Sequence, residues 1–177
     1  MLMPLTLAAG LLAAAAAAPA LAAAPVIKDV IRPDHTSHTQ QEAGLRAATA
    51  FATFWNTGDA RLLDTALSPA FIDRTLPPGR PQGPQGPAFA SANFRKAVPD
   101  LSVTVEKMVV SGDYVTVHMV FDGHFTGTFG STTGQGQTIH FIATDLYRID
   151  GGRIVENWHL EDNLTLLTQM GVATVKP

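Results

Sequence analysis

No cysteine occurs among the 177 residues of this chain. Disulfides, thiol nucleophiles and thiolate-based metal sites are thereby excluded, and stability has to come from the core. Charge is scarce too: 15% of residues are Asp, Glu, Lys or Arg, and the net charge is −3. With no basic stripe, nucleic acid is a poor partner, and a small hydrophobic molecule is the favoured one. The chain has a single long apolar run, at its start. Leu5 to Leu12 and the alanines through Ala18, followed by Pro19 and Ala20-Leu21-Ala22, read as a signal peptide over residues 1–24, although no Lys or Arg precedes the apolar stretch. A transmembrane anchor is the alternative, but the alanine-rich, proline-containing stretch suits cleavage better than a stable span. Cleavage after Ala22 leaves 177 − 22 = 155 residues, a length that buries about 68–70% of its unfolded surface. The expected location is periplasmic or secreted, with no stable membrane insertion after processing.

Organisation along the chain points to one domain. A flexible tether is expected over 25–38, the domain over 39–171 and a short tail over 172–177. Thr39 to Asn56 reads as a helix with Leu45, Ala48, Ala52 and Trp55 on one stripe, widened by Ala47, Phe51 and Phe54. Gly58 ends it, and Asp59 caps a short second helix that Ser68-Pro69 terminates. Phe71 to Arg74 is a short strand. The prolines between Leu76 and Pro87 demand a surface loop, with Pro87 as the first residue of a third helix bearing Phe89, Asn93, Phe94 and Ala97. From Leu101 the period changes to two. Leu101 to Val110, Tyr114 to Phe125, Gln137 to Ile149 and Arg153 to Asp162 are expected as four antiparallel strands, an α+β layout.

The last two strands carry the chemistry. Asp145 sits among Phe141, Ile142 and Ala143, where an inward carboxylate would be desolvated and hold its proton more tightly unless a charged His159 lies beside it. Such a group can exchange protons with a carbon acid near neutrality. If Asp150-Gly151-Gly152 forms a three-residue loop, Asp145 and His159 share a face; a two-residue Gly151-Gly152 turn puts them on opposite faces. Solvent-facing or hydrogen-bonded structural roles for either residue stay open.

The sequence also resembles the SnoaL-like polyketide cyclases. The resemblance rests on seven pieces in order over about residues 40–171: Phe54-Trp55-Asn56-Thr57-Gly58-Asp59, Gly83-Pro84-Gln85-Gly86, Pro99 to Val105, Gly112-Asp113-Tyr114-Val115, Gly123 to Phe129, Tyr147 to Trp158 and Leu166 to Gly171. It implies the nuclear transport factor two-like fold, a cone-shaped curved antiparallel sheet packed on N-terminal helices around a pocket. In the family a histidine on the first hairpin strand and an aspartate on the second form the acid/base pair. Here the separation, 159 − 145 = 14, is kept and the two types are exchanged. Either Asp145 is the base and His159 orients or protonates, or the site has left cyclase chemistry. The family's Gly-Thr-His-Thr-Gly becomes Gly123-His124-Phe125-Thr126-Gly127, which places Phe125 at the pocket position and turns His124 outward. His118 stands where many relatives carry Arg, and Arg74 where they often carry His. By resemblance, Trp55 and Asn56 position the ligand.

The expected ligand wall is therefore Trp55, Asn56, Phe71, Phe94, His118, Phe125, Phe129, Phe141 and Tyr147, although a stripe of aromatics also suits a simple core. No metal is expected: His118 and His124 share a strand face but lie about 20 Å apart. The reading is a cyclase- or isomerase-type enzyme acting on a small hydrophobic carbonyl compound. Asp145 abstracts a proton and His159 polarises or reprotonates, without a cofactor. A non-catalytic binding module of the same fold and a hydrolase activating water at Asp145 are the alternatives, and a homodimer is left open.

Overall fold

The computed structural model describes residues 23–32 and 37–176. Nearly all of the expected signal peptide, and part of the expected tether, lie outside the described residues. Two short strands come first, β1 (Val26–Ile27) and β2 (Val30–Ile31). Helix α1 (His38–Thr57) follows and buries Gly44, Ala47, Ala48, Phe51 and Ala52, so the stripe is centred beside Leu45 and Trp55 rather than on them. Gly58 closes the helix with φ 74°, its N–H donating to the Phe54 carbonyl at 2.7 Å. A 3-10 turn (Ala60–Leu62), capped by Asp59, and α2 (Leu63–Ala66) lead into β3 (Leu67–Asp73). Ser68-Pro69 was expected to end a helix, yet it lies inside β3. Proline is tolerated there because β3 is an edge strand whose register is broken between Leu67 and Ile72. Helix α3 (Gln85–Ala97) starts two residues before the expected Pro87, still within the first turn, where a missing N–H loses no partner.

Four long strands form the body of the sheet: β4 (Ser102–Ser111), β5 (Tyr114–Phe125), β8 (Gln137–Asp150) and β9 (Arg153–Glu161), each antiparallel to the next in that order. The small hairpin β6 (Thr128–Phe129) and β7 (Thr132–Thr133) interrupts them, and α4 (Asn163–Gln169) closes the chain, capped by Asp162 accepting from the Thr165 N–H. Alternation along each strand buries one face, with Val103, Val105, Val115, Val117, Met119, Phe141, Ala143 and Tyr147 joining the buried residues of α1 in one core. The sheet is curved and unclosed, as expected for the α+β cone.

Two expectations fail at the sheet edges. The segment expected as a flexible tether forms β1 and β2, which run parallel to β4 and pair Val26 with Thr104, Ile27 with Val105, Val30 with Met108 and Ile31 with Val109. Two-residue strands are too short to show a period, but they satisfy backbone groups that β4 would otherwise leave unpaired. At the other edge β3 is parallel to β9, so the sheet is not antiparallel throughout.

The β8–β9 hairpin decides the site. Its turn is the two-residue Gly151-Gly152, with φ 55° and 76°, flanked by the Asp150–Arg153 pair. By parity alone that turn would separate Asp145 from His159. A bulge between Arg148 and Ile149 leaves Val155 as the extra residue and restores the parity, so Asp145 pairs directly with His159.

Candidate active site

Asp145 projects from the buried face of β8, and its side chain is only 1% exposed. A carboxylate so placed needs hydrogen bonds on both oxygens. Tyr147, two residues along the same strand, donates its phenol to Oδ2 at 2.7 Å, and His159 Nδ1 meets Oδ1 at 2.5 Å. The other ring nitrogen, Nε2, lies 2.9 Å from Oε2 of Glu161. The His159 backbone N–H donates to Thr75 Oγ1 at 2.9 Å, and Thr75 is itself held through its N–H by Asp73 at 2.9 Å. The loop after β3 is thus fastened to the strand that carries the histidine.

The electrostatics follow from these contacts. Burial alone would lower the proton affinity of His159, but the charge and hydrogen bond of Asp145, joined by those of Glu161, raise its pKa from 6.5 to about 10. At neutral pH the ring is an imidazolium donating from both nitrogens. The Tyr147 phenol is pushed well above its ordinary value of 10.0, first by burial and then by the Asp145 charge, so it acts as a donor. Tyr147–Asp145–His159–Glu161 is one continuous chain.

Its Asp145, His159 and Glu161 members form part of the wall of a cavity of about 810 Å³ between the sheet, α3, α4 and the proline-rich loop. An aromatic surface faces it. Phe121 and Phe141 stack with centroids 5.0 Å apart, Phe94 meets Phe141 edge-on at 5.9 Å and Trp55 meets Phe121 edge-on at 6.3 Å. Of the expected ligand wall, Trp55, Phe94, Phe129 and Phe141 line the cavity, together with Asp145 and His159.

Five expected residues do not. Asn56 is held by backbone: its Nδ2 donates to the Ala23 carbonyl at 3.0 Å and its Oδ1 accepts from the Val103 N–H at 2.7 Å. Phe71 and Phe125 are packed in the core, and Tyr147 is reached only through Asp145. His118 sits opposite in parity to the buried Val117 and Met119, so it faces away from the cavity and contacts Thr144 Oγ1 at 2.7 Å. His124 is exposed and paired with Asp100 at 2.7 Å. Sequence reasoning missed Glu161, Thr75, Met119, Phe121, Arg80 and Asn93 on the cavity wall. Glu161 was within reach of it, because a residue two positions after His159 on a strand points the same way. Among the described residues no group of three His, Cys, Asp or Glu is placed to hold a metal ion.

A family model described as SnoaL-like polyketide cyclase matches residues 45–170. A candidate polyketide cyclase from Bacillus cereus is 38% identical, with a TM-score of 0.77 over 87% of this chain and 97% of that one. IdmH, a candidate polyketide cyclase from Streptomyces antibioticus, is 27% identical, with a TM-score of 0.63 over 71% of this chain and 96% of its own. A Catenulispora acidiphila protein with a ketosteroid isomerase-like fold, 21% identical, has a TM-score of 0.56 over 72% of this chain and 93% of its own. No curated protein matches this sequence.

Proposed function

This chain belongs to the SnoaL-like polyketide cyclase family, and from that premise we propose that it catalyses an enolisation-driven ring closure or isomerisation of a small hydrophobic carbonyl compound. Membership suggests cyclase- or isomerase-type chemistry; the site supplies the finer reading. The observation that carries it is the Asp145–His159 ion pair, set in the wall of an aromatic cavity. An imidazolium held there can donate a hydrogen bond to a carbonyl and stabilise the enolate as charge develops on its oxygen. Trp55, Phe121, Phe141 and Phe94 offer flat faces to a ring system, and their apolar surface favours a ligand whose polar atoms are few and gathered at one end. Proton transfer of this kind needs no cofactor.

A direct test uses β-tetralone, a bicyclic ketone with acidic α-protons, in deuterated buffer. The protein should speed loss of the α-proton NMR signal well beyond buffer, and His159→Gln should abolish most of that acceleration. Binding of the ketone without exchange would establish the binding-module alternative instead.

We propose further that the mature protein is exported after cleavage behind Ala22. Support comes from Ala23, whose carbonyl is gripped by Asn56, and from β1, which starts at Val26: a cut behind Ala22 spares both. N-terminal sequencing of the protein from its native source should read Ala23 first, and an intact Met1 would overturn the proposal.

A further inference from the structure

We propose that Glu161, rather than Asp145, is the carboxylate that removes the carbon-bound proton, while His159 donates to the ligand's oxygen. This rests on the proton-transfer reading above and assigns its base. Three observations carry it. First, Asp145 is closed to a ligand. Its side chain is 1% exposed and both oxygens already accept hydrogen bonds, from Tyr147 and from His159. A C–H group could reach it only by displacing one of those partners and leaving a buried donor unpaired.

Second, Glu161 is open. Its side chain is 23% exposed on the cavity wall, and only Oε2 is engaged, with His159 Nε2 at 2.9 Å; Oε1 has no hydrogen-bond partner among the described residues. Its neighbour across the sheet is Ala143, whose methyl group leaves the approach clear. Third, the charges favour it. Asp145 and His159 neutralise each other in the driest part of the wall, so a proton arriving on Glu161 leaves that buried pair intact, whereas one arriving on Asp145 breaks it. The other charged groups around the cavity are Arg80 of the proline-rich loop, already 3.7 Å from Asp73, and Lys96 of α3, which donates to Asn93.

The step balances as follows. The α C–H bond breaks and its proton bonds to Glu161 Oε1. The C–H electron pair becomes the C=C bond of the enol, and the carbonyl π pair moves onto oxygen, which displaces the partly exposed Glu161 Oε2 as acceptor of the His159 Nε2–H and then takes that proton. The Nδ1 proton stays on the Asp145 side throughout. Where the enol is conjugated to a C=C bond, returning the Glu161 proton to the far carbon of that bond, while the enol O–H proton returns to His159 and the carbonyl re-forms, isomerises the ligand. Attack of the enol carbon on a second carbonyl closes a ring, and the new alkoxide takes the proton from Glu161 while the enol O–H proton returns to His159.

The test is chosen to need a base and no carbonyl. Nitrobenzisoxazole loses its ring C–H proton as the N–O bond breaks, releasing a coloured cyanonitrophenolate. Wild type should open it faster than acetate at equal concentration and pH. Glu161→Gln should lower that rate by about 10² to 10⁴, the usual share of general-base catalysis, and Glu161→Asp should recover part of it. Near-ultraviolet circular dichroism confirms that each variant is folded, and NMR titration of the His159 ring should show a lower midpoint in Glu161→Gln, which removes one of its two carboxylates. The proposal is overturned if wild type gives no acceleration, if Asp145→Asn loses the rate while Glu161→Gln keeps it, or if the His159 midpoint does not move. A rate that depends on Glu161 alongside inert β-tetralone would uphold this base and sink the carbonyl chemistry proposed above.

Discussion

Asp145→Asn should lower the α-proton exchange of β-tetralone at neutral pH by about 10² to 10⁴, the range set by a positioned proton-transfer group. Asparagine keeps the size of the side chain and can still accept from Tyr147, but it removes the negative charge that Asp145 sets against the His159 ring. With its amide nitrogen turned toward Nδ1, the ring becomes a neutral acceptor on that side and no longer offers a cation to the enolate. The pH profile separates this from simple damage. Wild type should hold its rate until the imidazolium is lost near pH 10, the pKa of about 10 that the two carboxylates confer on His159, and the variant's alkaline limb should retreat toward the ordinary value of 6.5. Because the pair acts as one unit, Asp145→Asn combined with His159→Gln should be no slower than the poorer single variant. Exchange by Asp145→Asn at the wild-type rate, with an unmoved profile, would remove the ion pair from the mechanism.

The same pair should make the fold sensitive to alkali. His159 has a pKa of about 10 in the native protein against 6.5 as its ordinary value, so the folded state binds a proton that the unfolded state releases. The resulting stabilisation is fully present below pH 6.5 and is lost as pH rises toward 10. A pKa gap of this size corresponds to about 5 kcal/mol as an upper value, since the unfolded chain retains some charge contacts of its own. Urea midpoints measured at several pH values across that window should fall steeply for wild type. The His159→Gln series should be flat by comparison, which cancels the titration of lysines and tyrosines common to both. Parallel curves for the two proteins would show that the ion pair contributes nothing to folding.

What was legible in the sequence was whatever had a period. The alternation from Leu101 onward located all four long strands to within a residue, with Tyr114–Phe125 matched at both ends. The spacing of small and aromatic residues gave α1 within a residue at each end. The register of the site was not legible in the same way. Gly151-Gly152 correctly signalled a turn, but a two-residue turn by itself argues against Asp145 facing His159, and only the bulge that sets Val155 aside reconciles the two. A bulge is one extra residue with no side-chain signature, so composition cannot announce it. Asn56 and His118 were misplaced for a different cause: both were assigned by resemblance. Parity with Val117 and Met119 already turned His118 outward, and the Asn56 amide is satisfied by Ala23 and Val103, the first of which belongs to a segment that shows no pattern of its own. Glu161 was not singled out, although its parity with His159 was available.

The strands laid along β4 settle where this protein can be shortened. Residues 23–32 occupy the outer side of β4, and Asn56 at the end of α1 latches both the Ala23 carbonyl and the Val103 N–H next to it. A version trimmed to the start of α1 would look complete by its helices and long strands, and would still present a bare row of backbone donors and acceptors together with an unfastened amide. Such an edge recruits the nearest extended chain, which in a concentrated solution is another copy of itself. The smallest version that stays free of self-pairing therefore begins no later than Ala23.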